Sequence, residues 1–237
     1  MHISTPMTAE RLKRVKEIDP SKIAVLDTET TGLDPKNDEV LSLSIVDGAG
    51  EMLFDSLIRP SRRKRWPKAQ EIHGISPADV ADAPTLVEVS DEVRGILRDA
   101  DLVVGYNVEF DLGMLEAGGL DLYFPTFCVM KEFAPVNGRW SEKRGDYAWC
   151  KLAQCAKHYG YGPFAAHGSL EDAKATAHCF RELTKDPAYA SAVESRDDVR
   201  ERAERATKGA DSCLFGCLFL FAAVFVVLLS TIWSFFS

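Results

Sequence analysis

Four carboxylates and one histidine, grouped in three short segments, stand out in the first 172 residues of the chain. Asp27 and Glu29 lie in Val25-Leu26-Asp27-Thr28-Glu29-Thr30-Thr31-Gly32-Leu33. Asp111 closes Asn107-Val108-Glu109-Phe110-Asp111. His167 opens and Asp172 closes His167-Gly168-Ser169-Leu170-Glu171-Asp172. Brought together, Asp27, Glu29, Asp111 and Asp172 would build an all-oxygen cage for hard divalent cations. His167 would stand beside it as a base, since an imidazole titrates near neutrality. Such a set is the equipment for metal-assisted hydrolysis of a phosphodiester. No Cys/His cluster competes for a softer metal.

These groups need rigid elements to hold them. A continuous apolar run, residues 23–26, reads as a buried strand that ends at Asp27. A second strand, residues 40–46, alternates in Leu41-Ser42-Leu43-Ser44-Ile45, and Asp47-Gly48-Ala49-Gly50 turns the chain into a third, residues 52–58. The three form an antiparallel meander. A loop over residues 59–67 carries the basic run Arg62-Arg63-Lys64-Arg65. A helical stripe follows at Leu86, Val89, Val93, Ile96 and Leu97, then a fourth strand over 102–105 and a helix over 110–117. A fifth strand is expected at 127–130, a polar loop over 131–146, and two closing helices at 147–159 and 169–184. This is an α/β plan: a mixed sheet flanked by helices, a meander followed by alternating helix and strand. Asp27 and Glu29, two apart on extended chain, point to the same side. Asp111 and Asp172 each fall in the first turn or so of a helix, where the macrodipole also favours an acid.

Asp-x-Glu after a first strand, Asn-x-x-Phe-Asp, and His-x-x-x-x-Asp opening a late helix resemble the three motifs of the DnaQ-like (DEDDh) 3′–5′ exonucleases. That superfamily includes the proofreading subunit of bacterial DNA polymerase III. Ile72-His73-Gly74-Ile75-Ser76 and Asp82-Ala83-Pro84-Thr85-Leu86 resemble the family's approach to its first long helix. The resemblance covers about residues 22–184 and implies an RNase H-like fold. It implies two Mg²⁺ or Mn²⁺ ions, with Asp27 bridging both, Glu29 and Asp172 completing one site, Asp111 supporting the other, and His167 taking the proton of the attacking water. It implies substrate contacts at Thr28, Thr30, Leu33, His73 and Asn107. The implied activity is release of 5′-mononucleotides from the 3′ end of single-stranded or frayed DNA. An exoribonuclease of the same fold is the nearest alternative, and an inactive membrane-tethered nucleic-acid-binding adaptor a further one. A polymerase partner is left open.

Composition sets outer bounds. With 46% hydrophobic and 27% charged residues, the 237-residue chain has the makings of a sizeable core. A net charge of −8 argues against a protein that coats nucleic acid nonspecifically, but not against an enzyme that grips one strand end. Six scattered cysteines without a CxxC pair read as reduced thiols, and His158 and His178 are given no role. Residues 1–20 read as an N-terminal amphipathic helix, 21–186 as the exonuclease domain and 187–212 as a charged juxtamembrane stalk. Residues 213–237 hold an apolar run, 214–236, long enough to cross a bilayer. The expectation from it is a single-pass C-terminal transmembrane helix inserted in the lipid bilayer. The basic residues before it place the domain in the cytoplasm.

Overall fold

The computed structural model describes residues 7–120, 123–164 and 166–202. The chain divides into two compact units, Met1–Ala192 and Val193–Ser237. In the second, residues 193–202 are helical.

Five strands make the sheet of the first unit, in the order β3-β2-β1-β4-β5. β1 (Ile23–Thr30), β2 (Val40–Asp47) and β3 (Met52–Leu57) form the antiparallel meander. β4 (Leu102–Gly105) and β5 (Thr126–Cys128) add parallel to β1 on its other side. The pleat sorts the side chains. Ala24 and Leu26 of β1 and Leu43 and Ile45 of β2 join one core cluster with α3 (Leu86–Asp99) and α4 (Val108–Ala117). Asp27 and Glu29 face the other way. They pair with Ser44 and Ser42 of β2, under α7 (Ser169–Lys185).

Local signals explain the helix ends. Thr85 caps α3 in a capping box with Glu88. Thr8 caps α1 (Ala9–Glu17), which buries Leu12 and Val15, and Arg11 donates to the Thr126 carbonyl at 2.8 Å. The amphipathic helix expected at the N-terminus is therefore fastened to the sheet through β5.

The structure differs from expectation in several elements. The loop through 59–67 is followed by a helix, α2 (Pro67–His73), with Pro at its start and Gly74 left-handed at its end. The loop expected over 131–146 is mostly helix α5 (Val129–Asn137) and a hairpin, β6 (Trp140–Ser141) and β7 (Asp146–Tyr147). The next helix, α6 (Leu152–His158), starts later than 147 because Tyr147 is paired with Trp140. β2 has no solvent face: Leu41, Ser42, Leu43, Ser44 and Ile45 are all buried. His178, to which the sequence gives no role, lies 2.9 Å from the Tyr159 carbonyl.

The membrane expectation is corrected. The run 214–236 lies outside the described residues, as does the stalk beyond residue 202. Among the described residues no helix is long and apolar enough to cross a membrane. The single-pass anchor, its contact with lipid and the localisation built on it are set aside.

Candidate active site

The first motif sits where β1 leaves the sheet. A register shift between Glu29 and Thr30 turns the strand end, and Thr31 closes the following loop by accepting from Glu39 and donating to Asp38. Gly32 is required here, because a Cβ would meet the Asp38 carboxylate at 2.4 Å. Leu33 follows on the loop, 83% exposed.

Asp111 reaches the strand from the first turn of α4. It is buried, and its Oδ1 accepts from the Thr28 amide at 3.1 Å and the Thr28 hydroxyl at 2.7 Å. Thr28 thus holds a carboxylate in place. Asn107 stands exposed at the start of α4, its side chain making no cap bond. Glu109 turns away and pairs with Lys131 at 2.6 Å.

Asp172 comes from the first turn of α7. Its Oδ2 accepts from the His167 amide at 3.2 Å, while its Oδ1 is buried with no partner among the described residues. His167 is exposed and has a left-handed backbone, φ 70°. For a non-glycine residue that costs about 1 kcal/mol, and the bond to Asp172 helps hold it. The turn brings the imidazole back over the helix start. One ligand atom each from Glu29, His167 and Asp172 lies within 4.8 Å of the others.

What fixes α7 is a chain of hydroxyls that the motifs do not reveal. Ser44 donates to Asp55 Oδ1 at 2.6 Å, so its oxygen must accept from Ser169 at 2.7 Å. Ser169 in turn accepts from Ser42 at 2.6 Å. Ser169 is three residues before Asp172, so this buried chain ties the first turn of α7 to the strand opposite Asp27 and Glu29.

The electrostatics are those of a site short of positive charge. Burial raises Asp27 well above the usual carboxylate range, and Asp111, Asp172 and Glu29 add to it by repulsion. Burial and then Asp172 and Asp111 push Glu29 up to about 7. Burial raises Asp111 against the opposing bonds from Thr28. Burial also raises Asp172, against the amide and charge of His167. The structure therefore brings Asp27, Glu29, Asp111 and Asp172 into mutual repulsion, with His167 at the rim. The unpartnered Asp172 oxygen and this repulsion fit a hard cation.

A groove of about 640 Å³ opens beside the carboxylates. Thr28, Glu29, Thr30 and Leu33 line it from the first motif, Trp66, Ile72 and His73 from around α2, and Phe110 from α4. His73 accepts the Ile75 amide at Nδ1, which leaves its proton on Nε2 facing the Thr30 carbonyl at 3.3 Å. It clamps the first-motif loop, and burial lowers its pKa. Of the basic run, Arg62 and Arg63 hold structure: both amides donate to Glu39, and Arg63 pairs with Asp38 at 3.2 Å. Arg63, Arg65 and Lys68 reach the groove wall.

Residues 24–180 match the family model RNase_T, described as exonuclease. The chain belongs to the RNase_T exonuclease family. It is 34% identical over 167 residues to a DNA polymerase III PolC-type protein of Thermotoga maritima, across 66% of this chain and 11% of that protein. It is 31% identical to an RNA exonuclease 4 of Aspergillus fumigatus, across 68% of this chain and 50% of that one. The chain thus spans a minor part of its PolC-type relatives and half of the other. Among solved structures, the exonuclease fold recurs in Exonuclease X bound to 5′-overhanging duplex DNA. That match has a TM-score of 0.52 and 23% identity, and covers 69% of this chain and 91% of that one. It recurs in Escherichia coli Exonuclease I bound to an oligonucleotide, with a TM-score of 0.55 and 15% identity, covering 71% of this chain and 41% of that one. This exonuclease is accordingly a nuclease hydrolase on an α/β fold.

Proposed function

We propose that this exonuclease removes 5′-mononucleotides from the 3′ end of single-stranded or frayed DNA, with two Mg²⁺ or Mn²⁺ ions at the carboxylate site. The observation that carries the reading is the convergence of Asp27, Glu29, Asp111 and Asp172, all raised in pKa, around an unpartnered buried Asp172 oxygen. These four residues would hold the ions. Bound there, the ions supply charge neutralisation at the phosphate and activation of the attacking water.

The chain's own residues do the rest. His167, exposed on its loop and tied by its backbone to Asp172, would take the water's proton. Thr28 holds Asp111 against the strand end. Leu33, Ile72 and Phe110 give the groove apolar faces against which a terminal base would lie, with Thr30 and His73 beside them, and Asn107 would meet the strand from its exposed position at the start of α4.

Digestion of end-labelled strands by the purified chain tests the reading. Activity should require added Mg²⁺ or Mn²⁺, disappear with EDTA, and need a free 3′ end. Undiminished cutting in EDTA, or release of product from a blocked 3′ end, would overturn it. The RNA exonuclease 4 relative supports RNA as the second reading. RNA strands in the same assay decide between the two.

A further inference from the structure

Between α5 and α6 the chain forms the β6–β7 hairpin, which the carboxylate site does not use. Trp140 and Tyr147 face each other across it, edge to face at 5.5 Å. Just beyond, the Arg144 guanidinium lies 3.7 Å over the ring of Trp149, and Arg139 donates to the Trp149 carbonyl. The two tryptophans are 52% and 40% exposed. Residues 138–151 carry four cations (Arg139, Lys143, Arg144, Lys151) against two acids, in a chain whose net charge is −8. Leaving large apolar rings in water is unfavourable, and a two-stranded ribbon is marginal alone. Aromatic rings interleaved with cations suit a flexible polyanion that carries flat bases.

The hairpin's foot stands at the right edge of the sheet. Tyr106 donates to the Cys150 carbonyl at 2.9 Å. Tyr106 directly follows β4 and precedes Asn107, where the segment bearing Asp111 begins. Ligands of such sheets gather beyond the carboxyl ends of the parallel strands.

We propose that the β6–β7 hairpin with Trp149 and Arg144 is a stacking platform for the unpaired bases of a single strand whose 3′ end occupies the carboxylate site. This rests on the proposed nuclease reading. Every base has a flat face, so the platform selects single strands over paired ones without selecting sequence.

The test uses the full chain and its W140L, W149L and double variants. Leucine keeps an apolar partner for Tyr147 and removes the stacking plane. Three quantities are measured: anisotropy with a fluorescent oligothymidylate whose 3′ linkages are phosphorothioate, turnover of a single-nucleotide chromogenic phosphodiester, and thermal melting. The double variant should lose affinity for the strand by roughly 5- to 100-fold, keep small-substrate turnover, and melt as the parent does. An oligouridylate should lose as much, because stacking ignores the sugar. Unchanged strand affinity, or a parallel loss of small-substrate turnover, overturns the platform. If the double variant fails to fold, K143Q/R144Q replaces it and should weaken strand binding with the rings intact; unchanged affinity overturns the platform there too. A parent chain inactive on the small diester overturns the nuclease reading instead, while anisotropy still reports on the platform.

Discussion

At the scale of single residues, the site separates groups that would bind cations from one that would move a proton. Asp27→Ala removes the acid repelled by all three others, so it should abolish both activity and Mn²⁺ binding. His167→Ala should lower turnover by roughly 10²–10⁴ while Mn²⁺ binding survives. Titration calorimetry checks this, and equal metal loss in both variants would make His167 a ligand, a role its 4.8 Å grouping with Glu29 and Asp172 permits. Acidity gives a second expectation. Glu29 titrates at about 7 in the folded chain and near ~4.3 when unfolded. Between those values the unfolded chain has released a proton that the native chain still holds. Stability without metal should therefore fall as pH rises through that window, by an amount on the order of 3 kcal/mol from Glu29. Urea unfolding in EDTA should show Glu29→Gln removing that share of the slope, while Asp27, Asp111 and Asp172, also raised by burial, keep the rest; an identical slope in both proteins would mean that Glu29 is not held protonated. The motifs made these acids readable because chemistry restricts the residue types. Thr28 is expected from the resemblance as a substrate contact, whereas its amide and hydroxyl are bonded to Asp111, a partner 83 residues on that no local spacing links to it.

At the scale of elements, local patterns worked where one face or one cap decided the structure. The meander, β4, α3 and α7 follow from apolar runs and capping signals. α2 was missed because its seven residues bury no side chain, although Pro67 at its start and Gly74 at its end marked it. α5 was hidden by Pro135 and by its dependence on packing, with Phe133 edge-on to His158 and Tyr159 of and beside α6. The alternation along β2 marks the strand but not what covers its serines: Ser42 and Ser44 are buried under α7 and satisfied by Ser169. No spacing rule links residue 42 to residue 169. Ser169→Ala should break that chain, leave buried hydroxyls short of a partner and cost about 1–3 kcal/mol in urea unfolding. Because Asp172 follows one turn later, Mn²⁺ affinity should weaken with it, and Ser169→Cys should not restore it fully. A variant with parental stability and parental metal affinity would reduce the chain to packing.

At the scale of the whole molecule, an acidic chain must grip an anionic polymer at few points. The net charge of −8 offers no general attraction, and the carboxylate cluster repels phosphate unless cations neutralise it. The basic run looked in sequence like four equivalent cations, Arg62 through Arg65. Folding makes them unequal, since the Arg62 guanidinium donates to the Lys36 carbonyl and lies 3.8 Å from Glu39, Arg63 pairs with Asp38, and Arg65 is joined at the groove by Lys68 of α2. The salt dependence of strand binding should therefore be shallow, and Arg65 and Lys68 should carry a measurable part of it. For every phosphate of a single strand that goes without its neutralising side chain, the slope of log Kobs against log salt shrinks by about 0.7. R65A/K68A should flatten the slope by roughly one to one and a half and raise KM for long strands, with kcat on a single-nucleotide diester unchanged. R62A should instead lower stability, through the loop it pins, and leave the slope alone. If R62A flattens the slope and R65A/K68A does not, the strand runs over the outer face of the loop, away from α2.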